Sequence, residues 1–304
     1  MWFRAQEAAP GPLPEARAVV VPHGSIGALA VALHDMGVID SSLRFRVAAW
    51  LSRGDGALRA AEFVFPAHAS LRQVLVVLRT ARPVEHHVTI PEGLSAQQIA
   101  DLLNHAEAAE GNVPLPAEGS VLPQTYDYEF GTARTTILAR ARDAMERELA
   151  ADWADRSSDV HLISPRDALI LASIVERETA RPEERPRIAA VYLNRLQLGM
   201  RLQADPTVVY AVSGGSGVLN HKLTRMDLEQ ADPYNTYRNT GLPPGPICSP
   251  GSASLRAVLH PAHSDDLYFV ADGNGGHVFA RTREAHEQNV ARWRALEAGR
   301  RNVE

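Results

Sequence analysis

The stretch from Ser164 to Thr179 constrains this chain more than any other. Ser164 can cap a helix, Pro165 suits the first helical position, and Asp167 stands three residues after the cap. From Ala168 to Val175 the predicted helix is apolar around nearly its whole circumference, so it must run through an interior with other elements packed about it. It ends in two acids, Glu176 and Glu178, and carboxylates are rarely buried without a partner or a task. At about 100° per residue, Glu176 shares a face with Leu169, Ala172, Ser173, Thr179 and Ala180. These are mostly small side chains that leave room for a ligand. Glu178 lies on another face near Leu171 and Ile174, where bulky neighbours imply packing. Glu176 is therefore the better groove-facing acid. The plainer alternative is that either glutamate only pairs with Arg177, Arg181 or another arginine.

Upstream, residues 4–17 are rich in Ala, Pro and Glu and read as an extended linker. Residues 18–21 form a strand signal closed by Pro22-His23-Gly24, followed by an amphipathic helix with Ile26, Leu29, Ala30 and Leu33 on one face. The same phrase recurs at residues 87–103, where a strand, the turn Pro91-Glu92-Gly93 and a helix capped by Ser95 follow one another. The two copies form a weak internal repeat whose uncovered faces are expected to pack together. Residues 63–65 read as a strand and Ser70 opens another helix, so the N-terminal region is expected to be a small α+β module. Residues 105–125 read as a connection, and a helix is predicted from about Thr135 to Asp152. The predicted division is a linker over 1–17, a module over 18–104 and a larger α+β domain over 105–304.

Composition excludes several function classes. With 31 Lys and Arg against 36 Asp and Glu, the net charge is −5, which gives no basic excess for nucleic acid. Cys248 is the only cysteine, so no intramolecular disulfide or cysteine metal cluster can form, and it reads as a small packed residue. The twelve histidines lack an H-E-x-x-H pattern, and neither a metal nor another cofactor is expected. No hydrophobic run is long enough to span a bilayer, and no signal peptide is visible.

Residues 172–179 (ASIVERET) resemble the catalytic-helix motif of endolytic murein transglycosylases, the YceG-like family. Matching blocks follow in the family's order at residues 191–196 (VYLNRL), 199–207 (GMRLQADPT), 234–237 (YNTY), 241–247 (GLPPGPI) and 267–273 (LYFVADG). Residues 90–93 (IPEG), 118–119 (EG) and 122–126 (LPQTY) also fit, so the resemblance spans roughly residues 18 to 295.

The resemblance implies a LysM-like α+β module followed by a lysozyme-like α+β catalytic domain. It implies peptidoglycan glycan strands as substrate, cut within the strand between N-acetylmuramic acid and N-acetylglucosamine, leaving a 1,6-anhydromuramyl end without water. Glu176 would serve as acid and then base. Chemistry agrees that a glycosidic oxygen leaves poorly unless protonated, and burial beside apolar groups is a common way to keep an acid protonated. A hydrolytic muramidase would instead need a second carboxylate, with Glu178 and Asp205 the sequence candidates. A non-catalytic peptidoglycan-binding scaffold on the same fold is the third reading.

Around the acid, Ser173, Asn194 and Arg195 are candidates to support it or line the cleft. Gln203 and Asp205 are candidates for sugar contact or the groove wall. Tyr234, Asn235, Thr236 and Tyr237 combine aromatic, amide and hydroxyl groups, as sugar sites commonly do. The resemblance further implies coupling to peptidoglycan synthases and a single-pass anchor at the periplasmic face of the inner membrane. The chain lacks such a segment, and Trp2-Phe3 reads as the stump of one.

Overall fold

A computed structural model of the protein describes residues 8–301; Trp2-Phe3, read above as an anchor stump, and the first part of the linker lie outside the described residues. Helices and strands are mixed, as an α+β chain requires, and the residues fall into two compact units.

The first unit begins with β1 (Arg17–Val20), followed by α1 (Ile26–Asp35) and α2 (Ser42–Leu51). β2 (Glu62–Phe65) pairs antiparallel with β1, and α3 (Leu71–Thr80) follows. Ser25 caps α1, and Ser70 with Gln73 forms a capping box on α3, so the polar residues before each apolar run set where it starts. Alternation on β2 sends Phe63 and Phe65 inward to meet Leu29, Leu33, Phe45, Val74 and Leu78 in one core. Later strands complete this unit. β3 (Glu85–Thr89) pairs with β5 (Thr125–Glu129), and the two-residue strands β4 (Ala109–Glu110) and β6 (Thr132–Ala133) pair in parallel.

The second unit opens with α4 (Ala96–Asn104), capped by Ser95 with Gln98, and resumes with α5 (Arg134–Ala154). Then come α6 (Pro165–Glu178), α7 (Arg185–Gln197), α8 (Asp205–Val212), the short α9 (Arg225–Glu229) and α10 (Ser252–Leu259). The hairpin β7 (Tyr268–Ala271) and β8 (His277–Ala280) precedes α11 (Arg283–Arg301). Ser164 and Asp167 close a capping box on α6, with Pro165 at its start. The helix is buried from Ile170 to Val175 because α7, α8 and α10 pack around it. Leu171, Ile174, Val175, Ile188, Tyr192, Leu255 and Val258 form the centre of this core.

One expectation needs correction. The two strand–turn–helix copies do not join: β1 pairs with β2, β3 pairs with β5, and the second copy's helix belongs to the other unit. Residues 89–105 belong to the second compact unit, while 106–111 and 126–134 belong to the first. Sequence neighbours are separated because β3 finds its partner only at β5, beyond α4. Asp205-Pro206 opens α8, since Pro is tolerated in a first helical turn. Among the described residues no helix is long and apolar enough to cross a membrane.

Candidate active site

Glu176 lies in the last turn of α6 with only 5 % of its side chain exposed. Its two oxygens face two donors. Arg185 Nη2, from the first turn of α7, donates to Oε1 at 2.9 Å, and the backbone N–H of Gly251 donates to Oε2 at 2.9 Å. Gly251 is the N-cap residue of α10, so the carboxyl group meets the positive end of that helix. The Arg185 side chain is itself 9 % exposed, and its Nε has no partner.

A second carboxylate shares this arginine. Glu92 Oε2 lies 3.4 Å from the same Arg185 Nη2, while the Glu92 side chain is 44 % exposed. Its turn is locked in place. Gly93 N–H donates to Ser249 O at 2.9 Å, and Ser249 N–H donates to Leu94 O at 2.8 Å. Gly93 adopts φ +78°, a conformation that favours glycine, and a Cβ there would sit 3.8 Å from Glu176 Cγ. Arg177 stitches the same place, donating to Gly93 O at 3.2 Å and Gly217 O at 2.8 Å. The Glu92 carboxylate in turn lies against Gly251, where any Cβ would overlap it.

The surroundings of Glu176 thus differ from those expected. Its small-residue face receives the chain's own 247–251 segment rather than open space. Ser173 Oγ accepts from Ile247 N–H at 3.0 Å, and the Cys248 thiol donates to Ser173 O at 3.3 Å. Ser173 is fully buried and acts as a clasp between two segments. Cys248 is the packed residue expected of it, its thiol pushed well above the usual range by burial and then by the Glu176 charge. The carboxyl oxygens also meet an arginine and a helix N-terminus instead of apolar groups, because α7 and α10 both direct their first residues at the end of α6.

Glu178 belongs to a different cluster. Tyr192 Oη donates a hydrogen bond to Glu178 Oε1, and burial raises the carboxyl from 4.5 to about 7 against that bond, with the charge of Asp205 adding to the rise and Arg195 opposing it. Arg195 is buried and spans the core, donating to Leu267 O at 2.7 Å and to Leu202 O. Tyr237 Oη donates to Asp205, and burial, followed by that bond, raises the phenol's pKa.

The remaining candidates separate. Asn194 donates to Ser264 O and Asp266 O at 2.8 and 3.0 Å and lines a cavity of about 670 Å³ that includes none of Glu92, Glu176 or Arg185. Asn235 is fully buried and spends its amide on Leu228 O, Gln230 O and Tyr237 N–H. Thr236 Oγ1 accepts from Ala204 N–H and lies 2.9 Å from Thr207 Oγ1. Both residues hold a turn, with these polar groups engaged inside the chain. Tyr234 remains half-buried, 4.9 Å from the Tyr210 ring. Gln203 is exposed at φ +52°, with its N–H on Thr236 O.

Sequence reasoning missed Glu92, Arg185 and Gly251. The available signal was a requirement rather than a pattern, since a carboxylate at the end of a buried helix needs a cation and an N–H donor, and the 90–93 block stood out without a role. Among the described residues no His, Cys, Asp and Glu cluster is arranged to hold a metal.

The protein has known relatives. It is 36 % identical over 177 residues to the endolytic murein transglycosylase of Bacillus subtilis (strain 168), an alignment covering 58 % of this chain and 48 % of that protein. It is 34 % identical over 176 residues to the enzyme of the same name from Streptococcus pneumoniae, covering 57 % and 32 %. The matched part therefore spans about half the length of the first relative and about a third of the second. A crystal structure of a YceG-like protein from Listeria monocytogenes superposes with a TM-score of 0.57 at 29 % identity, covering 90 % of this chain and 98 % of that one. The sequence profile of the YceG-like family matches residues 19–292, which includes every residue of the Glu176 site, and the chain belongs to that family.

Proposed function

We propose that this chain is an endolytic peptidoglycan lytic transglycosylase that cuts between N-acetylmuramic acid and N-acetylglucosamine. The observation that carries the reading is Glu176, a nearly enclosed carboxyl at the end of a buried helix, in a chain whose relatives at 36 % and 34 % identity are endolytic murein transglycosylases.

In this reading Glu176 gives its proton to the glycosidic oxygen as the bond to the muramic C1 breaks. The resulting carboxylate removes the proton from the muramic 6-hydroxyl, whose oxygen closes onto C1. Glu176 ends protonated, and the product end is a 1,6-anhydro sugar. Arg185 and the Gly251 N–H stabilise the carboxylate stage between the two transfers. We read the first unit as a LysM-like glycan-binding module and the second as a lysozyme-like catalytic fold. Tyr234, Gln203 and Asp205 are proposed groove residues. Such an enzyme would act at the outer face of the cytoplasmic membrane, releasing strands as peptidoglycan synthases extend them.

Hydrolysis is the second reading, and Glu92 supplies the carboxylate that Glu178 and Asp205 do not, since it alone shares an arginine with Glu176 among the described residues. Products separate the two. Purified peptidoglycan digested with the native protein should yield anhydromuramyl ends by mass spectrometry, and Glu176→Gln should yield none. Reducing muramic ends would overturn the transglycosylase reading, and undiminished cutting by Glu176→Gln would remove Glu176 from its role.

A further inference from the structure

An acid that works twice must be neutral at one moment and charged at the next. Arg185 stays charged throughout, because a guanidinium does not lose its proton in a protein, and it is nearly buried. When Glu176 holds its proton, Arg185 loses its nearest anion. A buried cation without a partner is costly, so the site needs another negative charge at that stage. Glu92 is the other carboxylate in reach, 3.4 Å from the same Nη2.

We propose that Glu92 is the stand-by counter-ion of Arg185, a positioning residue that takes the guanidinium while Glu176 is protonated and returns it when Glu176 becomes a carboxylate. The inference rests on the acid–base role proposed for Glu176. The observed arrangement, with Arg185 closer to Glu176 than to Glu92, corresponds to the charged middle of the cycle. The proton of the acid stage belongs on Oε1, the oxygen Arg185 now occupies, because Oε2 accepts from the fixed Gly251 amide. No covalent chemistry falls to Glu92; a hydrogen bond changes partner, and Arg185 keeps its charge.

The other groups facing Glu176 cannot take this part. Arg177, beside it on α6, is a cation occupied by the carbonyls of Gly93 and Gly217. Cys248 presents a buried thiol held as a donor to Ser173 O. Glu118, beyond that thiol, already accepts from Ala96 N–H at the start of α4 and from Tyr210 Oη. Glu92 has neither tie, and its partial exposure gives it room to move.

The test has a kinetic arm and a structural arm. Release of anhydromuramyl ends is followed against pH for the native protein, Glu92→Gln, Glu92→Asp and Gly251→Ala. Glu92→Gln should be slower at neutral pH by about tenfold, mainly in kcat, and the difference from the native protein should narrow as the pH falls. Glu92→Asp should lie between the two. Gly251→Ala keeps its N–H and the charge of Glu92 but pushes that side chain off Arg185, so its profile should follow Glu92→Gln. In a crystal structure of Glu176→Gln, a neutral stand-in for the protonated acid, Arg185 Nη2 should close on Glu92 to ordinary salt-bridge distance. A Glu92→Gln profile matching the native one, or Arg185 still seated on residue 176 in that structure, would overturn the proposal. Reducing ends from the native protein would instead overturn the functional reading, and the position of Arg185 in the crystal would still decide whether Glu92 receives it.

Discussion

At the scale of single residues, the two glutamates of α6 differ in what surrounds them. Glu176 has a cation and an amide, so removing the cation isolates it. Arg185→Met should destabilise the protein by about 3–5 kcal/mol, the usual cost of breaking a buried pair from one side. Much of that loss should return in the double variant with Glu176→Gln, as chemical denaturation of the four proteins would report. Glu178 has a tyrosine and little else, and its carboxyl is raised to about 7 mainly by burial. A carboxyl whose folded value lies above its unfolded one holds extra protons when folded. Its contribution to stability is therefore present below about pH 4.5 and is lost as the pH climbs to about 7. Stability of Glu178→Gln should fall less than that of the native protein between pH 5 and 8, by roughly 3 kcal/mol at most. Thermal unfolding across that range measures it, and identical slopes would count against the raised carboxyl. Helical spacing sufficed to separate these glutamates in the sequence. It could not name Arg185, Glu92 or Gly251, which come to Glu176 from three other segments.

At the scale of elements, α6 was the most legible because its cap, its apolar body and its acids all lie within one stretch. The helices opened by Ser70 and Ser95 were readable for the same reason. Helix α10 was not, since Gly251 offers no side-chain cap and the Pro-rich run before it reads as loop. That helix is half of the site. The small face of α6, readable as space for a ligand, is where the segment leading into α10 docks, and Ser173 is its clasp. Ser173→Ala should leave the Ile247 N–H buried without an acceptor and cost about 1–3 kcal/mol. Because the same segment delivers the Gly251 amide, this variant should also cut more slowly than its stability loss alone predicts. Comparing its turnover with that of an equally destabilised α1 variant, such as Leu33→Ala, would check this. Repetition misled where locality did not: two similar strand–turn–helix phrases suggested one packed pair, yet each strand finds its partner elsewhere.

At the scale of the whole molecule, the chain passes between its two units several times, so no single cut separates them. A fragment of residues 105–304 lacks Glu92, the Gly93–Ser249 and Leu94–Ser249 hydrogen bonds, and α4. It should unfold without a sharp transition and be inactive. A fragment of residues 89–304 keeps all of these and should melt more cooperatively. Circular dichroism of the two fragments tests the difference, and equal cooperativity would mean that the residues 89–104 add little to the second unit.

The pairing of Gly93 and Leu94 with Ser249 also bears on when the Glu176 site forms during synthesis. Contacts between segments so far apart in sequence form late, because a long loop must close before they are rewarded. The ribosome releases Glu92 first, Glu176 later and the Gly251 amide last of the three. Until then the carboxyl of Glu176 lacks the helix terminus that meets its second oxygen. A chain interrupted before residue 251 therefore carries Glu176 without the amide that meets its second oxygen, and the site takes its final form only after that residue has emerged.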